Sequence, residues 1–283
     1  MKISFIIVNY NGSKTIEKCL DSVLKQEGDN EIIIIDNNST DNSLKLIKKY
    51  ENKSIKLIEK KENLGFSKGN NIGIEKSKGD YIALINNDVT LEKNWIKKMI
   101  KRLNKDSKIG IIGCKILYPS GRIWFGGGKV FFPGFPKHLD LKKESFIDYV
   151  AFAACLIKRE ALEKSKEENY LDENIFMYGE DIELCKRIRL KGYNILYYPG
   201  AIAYHHINEN RISKNEEYGA SRNKSYYFTK FYNPINKILF LIGDLILFFP
   251  LFVGYRLIKN PKRIKFFKSI LKARIDSIPL MLK

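Results

Sequence analysis

The stretch "INNDV", residues 85–89, poses the first chemical question in this chain. An apolar run, "YIAL", leads into Asn86, Asn87 and Asp88, three polar side chains at the mouth of a strand. A carboxylate beside two amides at that place either closes an Asx-turn or faces a ligand. Similar clusters follow earlier apolar runs: "NYN" at 9–11, "DNNSTD" at 36–41 and "ENLGF" at 62–66. Further on, "GED" sets Glu180 and Asp181 at the start of a helical pattern, where acids offset the positive end of the helix dipole. "AIAYHHIN" then carries His205 and His206 after an apolar strand pattern.

The elements around these clusters alternate. "KISFIIVN", "NEIIIID", "SIKLIEK" and "DYIALIN" read as strands. "SKTIEKCLDSVLKQ", with Ile16, Leu20, Val23 and Leu24 at helical spacing, "NSLKLIKKYEN" and "GFSKGNNIGIEKSKG" read as the helices between them. Continuous β-branched runs mean strands covered on both faces, which with intervening helices predicts a parallel α/β sheet. Ligands of such sheets bind outside the carboxyl ends of the strands. One polar cluster could be a turn, but four at the same edge describe a pocket. A nicotinamide-type dinucleotide fold is excluded, because it needs a glycine-rich turn after its first strand and "VNYNGSK" has one glycine.

The chain has 283 residues, 44% of them hydrophobic, enough for a large buried core. Its formal net charge of +18 suits nucleic acid, anionic lipid or phosphorylated ligands. No helix-turn-helix, zinc-finger or RNA-recognition pattern supports nucleic acid as a partner. Four cysteines, none in a C-x-x-C pair, read as buried free thiols and fit a reducing compartment. The opening apolar run ends at Asn9, too short to span a membrane.

Residues 110–160 read as short strands and glycine-rich loops, with "FGGG" at 125–128 and "AFAAC" at 151–155 as candidate acceptor-lining segments. After Pro234 the character changes. "KILFLIGDLILFFPLFVGYRLIK" approaches the length of a membrane span, but Asp244 and Pro250 interrupt it and basic residues flank it. An acid near the centre of a span costs roughly 2.5–3.5 kcal/mol. The reading is therefore a catalytic domain over residues 1–233 and an apolar, basic helical tail over 234–283 lying on an anionic membrane surface. A spanning helix and a soluble helical packing are its competitors.

Taken in order, "SFIIVNYNGSKTIEKCLDSVLKQ", "IIIIDNNSTDNS", "NLGFSKGNNIGI", "YIALINNDV" and "MYGEDIELCKRIRLKGYNI" resemble family 2 glycosyltransferases, most of all the rhamnosyltransferase-like branch. The resemblance covers roughly residues 1–230. It implies a GT-A fold, a Rossmann-like and mostly parallel sheet flanked by helices, and inverting transfer from a nucleotide-diphosphate sugar. By this resemblance Asp88 matches the last acid of a metal-binding D-x-D motif, while Asn86 replaces the first. Oxygen ligands suit Mg²⁺ or Mn²⁺, and such a cation neutralises the departing diphosphate. With one carboxylate lost, His205 or His206 is the expected extra ligand, His205 being in the better register.

The same resemblance makes Asp181 the base that takes the acceptor hydroxyl's proton, with Glu180 positioning it. Asp36 is expected to receive the nucleotide base, Tyr10 to stack on it, and Asn63 and Gly65 to lie near ribose and phosphates. Arg222 is a candidate phosphate contact, Asn86 a ribose contact, Asn70 a structural residue and Asp41 a helix cap. The acceptor is expected to be a glycan or lipid-linked glycan at the cytoplasmic face of the cell membrane. No Q-x-x-R-W acceptor motif occurs, so a single sugar addition is expected over processive synthesis. A glycan- or nucleotide-binding module without catalysis is the alternative that the incomplete D-x-D leaves open.

Overall fold

The computed structural model describes residues 1–50, 55–131 and 135–209, with seven further residues between Asn223 and Asp276. The expected tail apart from Lys272 and Asp276, the boundary at 233/234 and Arg222 lie outside the described residues. The elements are β1 (Lys2–Asn9), α1 (Ile16–Leu24), β2 (Asp29–Asp36), α2 (Ser43–Lys48), β3 (Ile55–Glu59), α3 (Gly65–Lys76), β4 (Tyr81–Asn86) and β5 (Val89–Leu91). They continue with α4 (Trp95–Leu103), β6 (Ile109–Leu117), β7 (Ile123–Phe125), β8 (Gly128–Phe131), β9 (Phe135–His138) and β10 (Ser145–Phe146). The last are β11 (Ala154–Lys158), α5 (Arg159–Ser165), α6 (Glu180–Leu190) and β12 (Asn194–His205).

The main sheet runs β10-β12-β6-β11-β4-β1-β2-β3, with β5 and β7 attached to β12 and β6. β3, β2, β1 and β4 are parallel, as the covered apolar runs require. Their register sets Asn9 beside Asp36, Asp36 beside Glu59, and Val8 beside Asn86. All four polar clusters therefore leave one edge of the sheet. The sheet is not wholly parallel, because β11 lies antiparallel between β4 and β6. An apolar central strand has the same composition in either direction, so only the connections decide this.

The core is continuous from Ile3, Phe5, Ile6 and Ile7 of β1 through Ile32–Ile35 of β2 to Ile109, Ile111 and Ile112 of β6. α1 buries Ile16, Cys19, Leu20 and Val23 on one face, whereas Leu24, expected on that face, is exposed at the helix end. The four cysteines are free and buried, in line with the sequence reading.

One buried ion pair anchors the helix that carries the second acid site. Arg187 donates to both oxygens of Glu183 at 2.7 and 2.8 Å, and to the carbonyls of Ser165 and Tyr170 at 2.7 Å each. Both side chains are almost wholly enclosed. Stranding one partner of such a pair costs about 3–5 kcal/mol, so α6 is held at a fixed height against α5. Asn71 on α3 holds the preceding loop by exchanging hydrogen bonds with the Leu171 backbone at 2.9 and 2.7 Å.

A second compact unit comprises Phe131–Phe135, Met177–Gly179 and Asn210–Lys283. Within it, the Asn223 amide donates to the Met177 and Tyr178 carbonyls at 2.9 and 2.7 Å.

Candidate active site

At the carboxyl edge of the sheet, side-chain amides tie the loops together. The Asn9 amide donates to Asp36 at 2.8 Å, and its oxygen accepts from Asn87 at 2.7 Å. Asp36 also accepts from the Ser39 hydroxyl at 2.7 Å and the Ser39 N–H at 3.0 Å. Asp36 is 1% exposed. A carboxylate offers about four lone-pair sites, and the protein takes three of them. One lone-pair site is left, and Asp36 also braces the loop through Asn9 and Ser39.

Next to it, Asn37 is also buried. Its amide donates to the Gly65 carbonyl at 2.9 Å, while its Oδ1 has no hydrogen-bond partner among the described residues. Asp36 and Asn37 thus both keep unused acceptor capacity at the end of β2. Gly12 is required beside this network, because a Cβ there would collide with the Asn9 and Asn87 amides.

The other expected donor-site residues divide. Tyr10 is 46% exposed at the end of β1, with a ring free to stack. Asn63 accepts the Gly65 N–H at 3.0 Å, so it shapes the turn into α3. Gly65 itself has φ +78° and packs where a Cβ would meet the Phe176 carbonyl. Asn70 bonds back to the Phe66 carbonyl at 2.9 Å and is structural, as read. Asp41 accepts the Ser43 and Ser13 N–H groups at 2.9 Å each. Burial works to raise its pKa, but hydrogen bonds from Ser43 and Ser13 prevail and hold it at about 2.

Asp88 follows β4, and the antiparallel pairing of β5 with β12 sets Val89 opposite His205. His205 Nε2 lies 3.1 Å from Asp88 Oδ1. The two atoms are close without hydrogen-bond alignment, and Asp88 Oδ1 is buried with no hydrogen-bond partner among the described residues. Asn86 Oδ1 is in the same condition. Two ligands about 2.1 Å from one cation at right angles stand about 3.0 Å apart. The Asp88–His205 spacing fits that arrangement, and a nitrogen plus oxygens suits Mn²⁺ or Mg²⁺. His206 is turned away, with its ring 2.9 Å from the Thr90 hydroxyl, while its backbone N–H donates to the Asp88 carbonyl at 2.8 Å.

Rings connect this centre to the second one. Trp124 meets His205 at 4.4 Å between centroids, and Phe125 meets Tyr149 at 6.0 Å. Burial raises the Tyr149 hydroxyl pKa, and Asp181 adds to the shift. Asp181 retains some solvent contact, but protein atoms crowd its carboxyl. That burial pushes its pKa up to about 7, against a hydrogen bond from its own-helix Ile182 N–H at 2.8 Å. A carboxyl at that value is suited to exchange a proton near neutrality. Glu180 beside it is 7% exposed. The acidic trio Glu167, Asp172 and Glu183 could also hold a cation by distance alone, but Glu183 is committed to Arg187.

Residues 4–165 match glycosyl transferase family 2, more than half of the chain, and the chain belongs to that family. A poly-beta-1,6-N-acetyl-D-glucosamine synthase of Staphylococcus aureus (strain COL) is 27% identical over 218 residues, 71% of this chain and 49% of that protein. An uncharacterized protein of Sinorhizobium fredii is 27% identical over 230 residues, 74% of this chain and 25% of its own. The chain thus spans half or less of the length of these relatives. Among solved structures, S. aureus TarS 1-349 in complex with UDP-GlcNAc matches with a TM-score of 0.65 at 18% identity, covering 99% of this chain and 82% of that one. GalNAc-T7 with UDP, GalNAc and Mn²⁺ matches with a TM-score of 0.65 at 19% identity, covering 81% and 50%. The fold is that of the GT-A glycosyltransferases.

The raised Asp181 pKa makes a stability prediction. The folded chain disfavours the ionised carboxylate, so this group weakens the fold progressively as pH rises from about 4, its ordinary value, to about 7. Asp181→Asn removes that penalty. The variant should melt with the wild type near pH 4 and above it at pH 8. Equal melting at both values would mean that burial does not hold the carboxyl neutral.

Proposed function

We propose that the chain is an inverting, metal-assisted glycosyltransferase that moves a sugar from a nucleotide diphosphate to a hydroxyl of a glycan or lipid-linked acceptor. The observation that carries this reading is the convergence of Asp88 Oδ1 and His205 Nε2, 3.1 Å apart, at the edge where the asparagine-rich loops end. GalNAc-T7, a fold neighbour, has a crystal structure with UDP and Mn²⁺, which supports reading this pair as cation ligands.

Asp88 and His205 would hold Mn²⁺ or Mg²⁺, with Asn86 Oδ1 facing the ribose or a cation-bound water. When bound, the cation neutralises charge on the departing diphosphate. The exposed Tyr10 ring stacks on the nucleotide base, and the remaining Asp36 lone pair receives a base N–H, with the open Asn37 Oδ1 beside it. Arg222 is retained as the phosphate contact on sequence grounds. Asp181 removes the proton of the attacking hydroxyl, and Glu180 positions acceptor and base. Displacement from the side opposite the leaving group inverts the anomeric centre.

Candidate donors are the hexosyl and rhamnosyl nucleotide sugars that the family resemblance implies, and UDP-GlcNAc, with which the TarS neighbour was solved. Melting temperature against a panel of nucleotide sugars, with and without Mn²⁺, discriminates between them, since ligands selective for the folded state raise it. A metal-dependent rise with one base is expected. No rise with any of them would favour the binding module without catalysis.

For the identified donor, Asp181→Asn should leave binding nearly intact and cut turnover by about 10² or more. Wild-type turnover should climb with pH through about 7, because only the ionised carboxylate accepts a proton. Unchanged turnover in the variant would remove Asp181 from the mechanism.

We place the tail on the anionic cytoplasmic face of the membrane, from its apolar and basic sequence. No helix among the described residues is long and apolar enough to cross a membrane. The full chain should cosediment with anionic vesicles and a chain ending at residue 233 should not; retention of the shorter chain would put the anchor elsewhere.

A further inference from the structure

An open cavity of about 580 Å³ lies between α1, β5 and the residue that follows β12. Ligand sites commonly enclose roughly 300–1,000 Å³. Thr90, Leu91 and His206 bound it on one side. Lys18, Asp21, Ser22 and Lys25 bound it on the other, at the spacing of one helix face. Lys93 completes the lining. The proposed reaction uses none of these residues: His205 faces Asp88, whereas its neighbour His206 lines this cavity.

Polar side chains fix its walls. The Ser22 hydroxyl donates to the Cys19 carbonyl at 2.8 Å and accepts the Leu91 N–H at 3.0 Å, which joins α1 to β5. The buried Gln26 amide donates to the Ser22 and Glu92 carbonyls at 3.0 and 2.9 Å, and its oxygen accepts the Ile96 N–H at 3.0 Å. The charge between these walls is one-sided. Lys18, Lys25 and Lys93 are exposed and have no ion-pair partner among the described residues. The acids near them are engaged. Asp21, in the lining, accepts the Tyr50 hydroxyl at 3.0 Å. Glu92, next to Lys93, meets Lys98 and the Ile202 N–H at 2.8 Å each. Glu17, next to Lys18, pairs with Lys49 at 3.3 Å.

We propose that this cavity is a phosphate-binding site, in which Lys18, Lys25 and Lys93 surround the phosphate group. Three ammonium groups face one carboxylate that already holds a hydroxyl, so the lining carries an excess of positive charge. A phosphate monoester carries about −1.5 to −2 charges at neutral pH, enough to balance that excess, whereas a carboxylate carries one. A concave surface of one sign concentrates counter-ions. Lysine meets phosphate as a point charge on a flexible stem, so the three need no fixed fork geometry. The phosphate can be a soluble one or the headgroup of an anionic lipid, since the recognising chemistry is the same. The site needs neither the cation pair nor a nucleotide sugar, so it stands independently of the proposed reaction.

The test is calorimetric titration of the full chain with inorganic pyrophosphate, in EDTA so that no divalent cation draws the probe to Asp88 and His205. The wild type should bind it, and acetate at the same concentration should not displace it. Lys18→Gln, Lys25→Gln and Lys93→Gln together should weaken binding about 10-fold or more. Lys45→Gln, Lys56→Gln and Lys76→Gln together, which remove the same charge from exposed positions off the cavity, should keep the affinity within a few-fold. Both variants should melt with the wild type, since exposed lysines carry little of the fold. No binding by the wild type, displacement by acetate, or equal losses in the two variants would overturn the proposal. Cosedimentation with phosphatidylcholine vesicles, with and without phosphatidylglycerol, then separates the sources. Weaker binding of the cavity variant than of the control variant to the anionic vesicles assigns the site to a lipid headgroup. A loss confined to pyrophosphate assigns it to a soluble phosphate.

Discussion

The geometry of the site depends on one buried amide. Asn9 ends the central parallel strand, accepts a hydrogen bond from Asn87 and donates to Asp36. With it, three loops at the sheet edge are bound through side chains, where no backbone ladder reaches. A buried polar network is rigid when each member is satisfied, and Asn9 and Asp36 meet that condition. The neighbouring atoms do not: Asn37 Oδ1, Asn86 Oδ1 and Asp88 Oδ1 are buried without a hydrogen-bond partner among the described residues. Leaving such atoms bare costs about 1–3 kcal/mol each. The contrast separates the braces of the edge from the atoms that keep unused hydrogen-bonding capacity.

The same division runs along α6. Glu183 is fully enclosed and remains paired with Arg187, whose other donors meet backbone carbonyls. Two residues earlier, Asp181 has its pKa raised by burial. One acid fastens the helix and the other bears the cost of an uncompensated burial. A carboxyl with a pKa near neutrality can exchange a proton there, the property on which the proposed role of Asp181 rests. Arg187 and Glu183 thereby serve Asp181 indirectly, by fixing the turn from which it projects.

Much of the edge was legible in the sequence because strand composition and turn residues are local properties. Four apolar runs ending in Asn and Asp required four loops at one edge, and the β1, β2, β3 and β4 register agrees. The roles within a loop were less legible. Asp36 and Asn37 are adjacent, nearly isosteric and equally buried, yet Asp36 accepts from Asn9 and Ser39 while Asn37 donates to the Gly65 carbonyl and keeps an open oxygen. Asn63, expected near ribose, shapes the entry to α3. Trp124 carried no signal, because it lies far in sequence from Asp88 and belongs to a stretch that read only as short strands and glycine-rich loops.

Sequence alone determined the parallel half of the sheet, the acids at its edge and the family pattern, since apolar periodicity and short motifs are written in consecutive residues. Tertiary structure decided the rest. It set β11 antiparallel, chose His205 over His206 to face Asp88, bonded Asp36 to Asn9, raised the Asp181 pKa and stood Trp124 against His205. Each of these depends on which distant segments meet, through strand direction, register and the exclusion of water. Those quantities exist only once the chain has closed on itself.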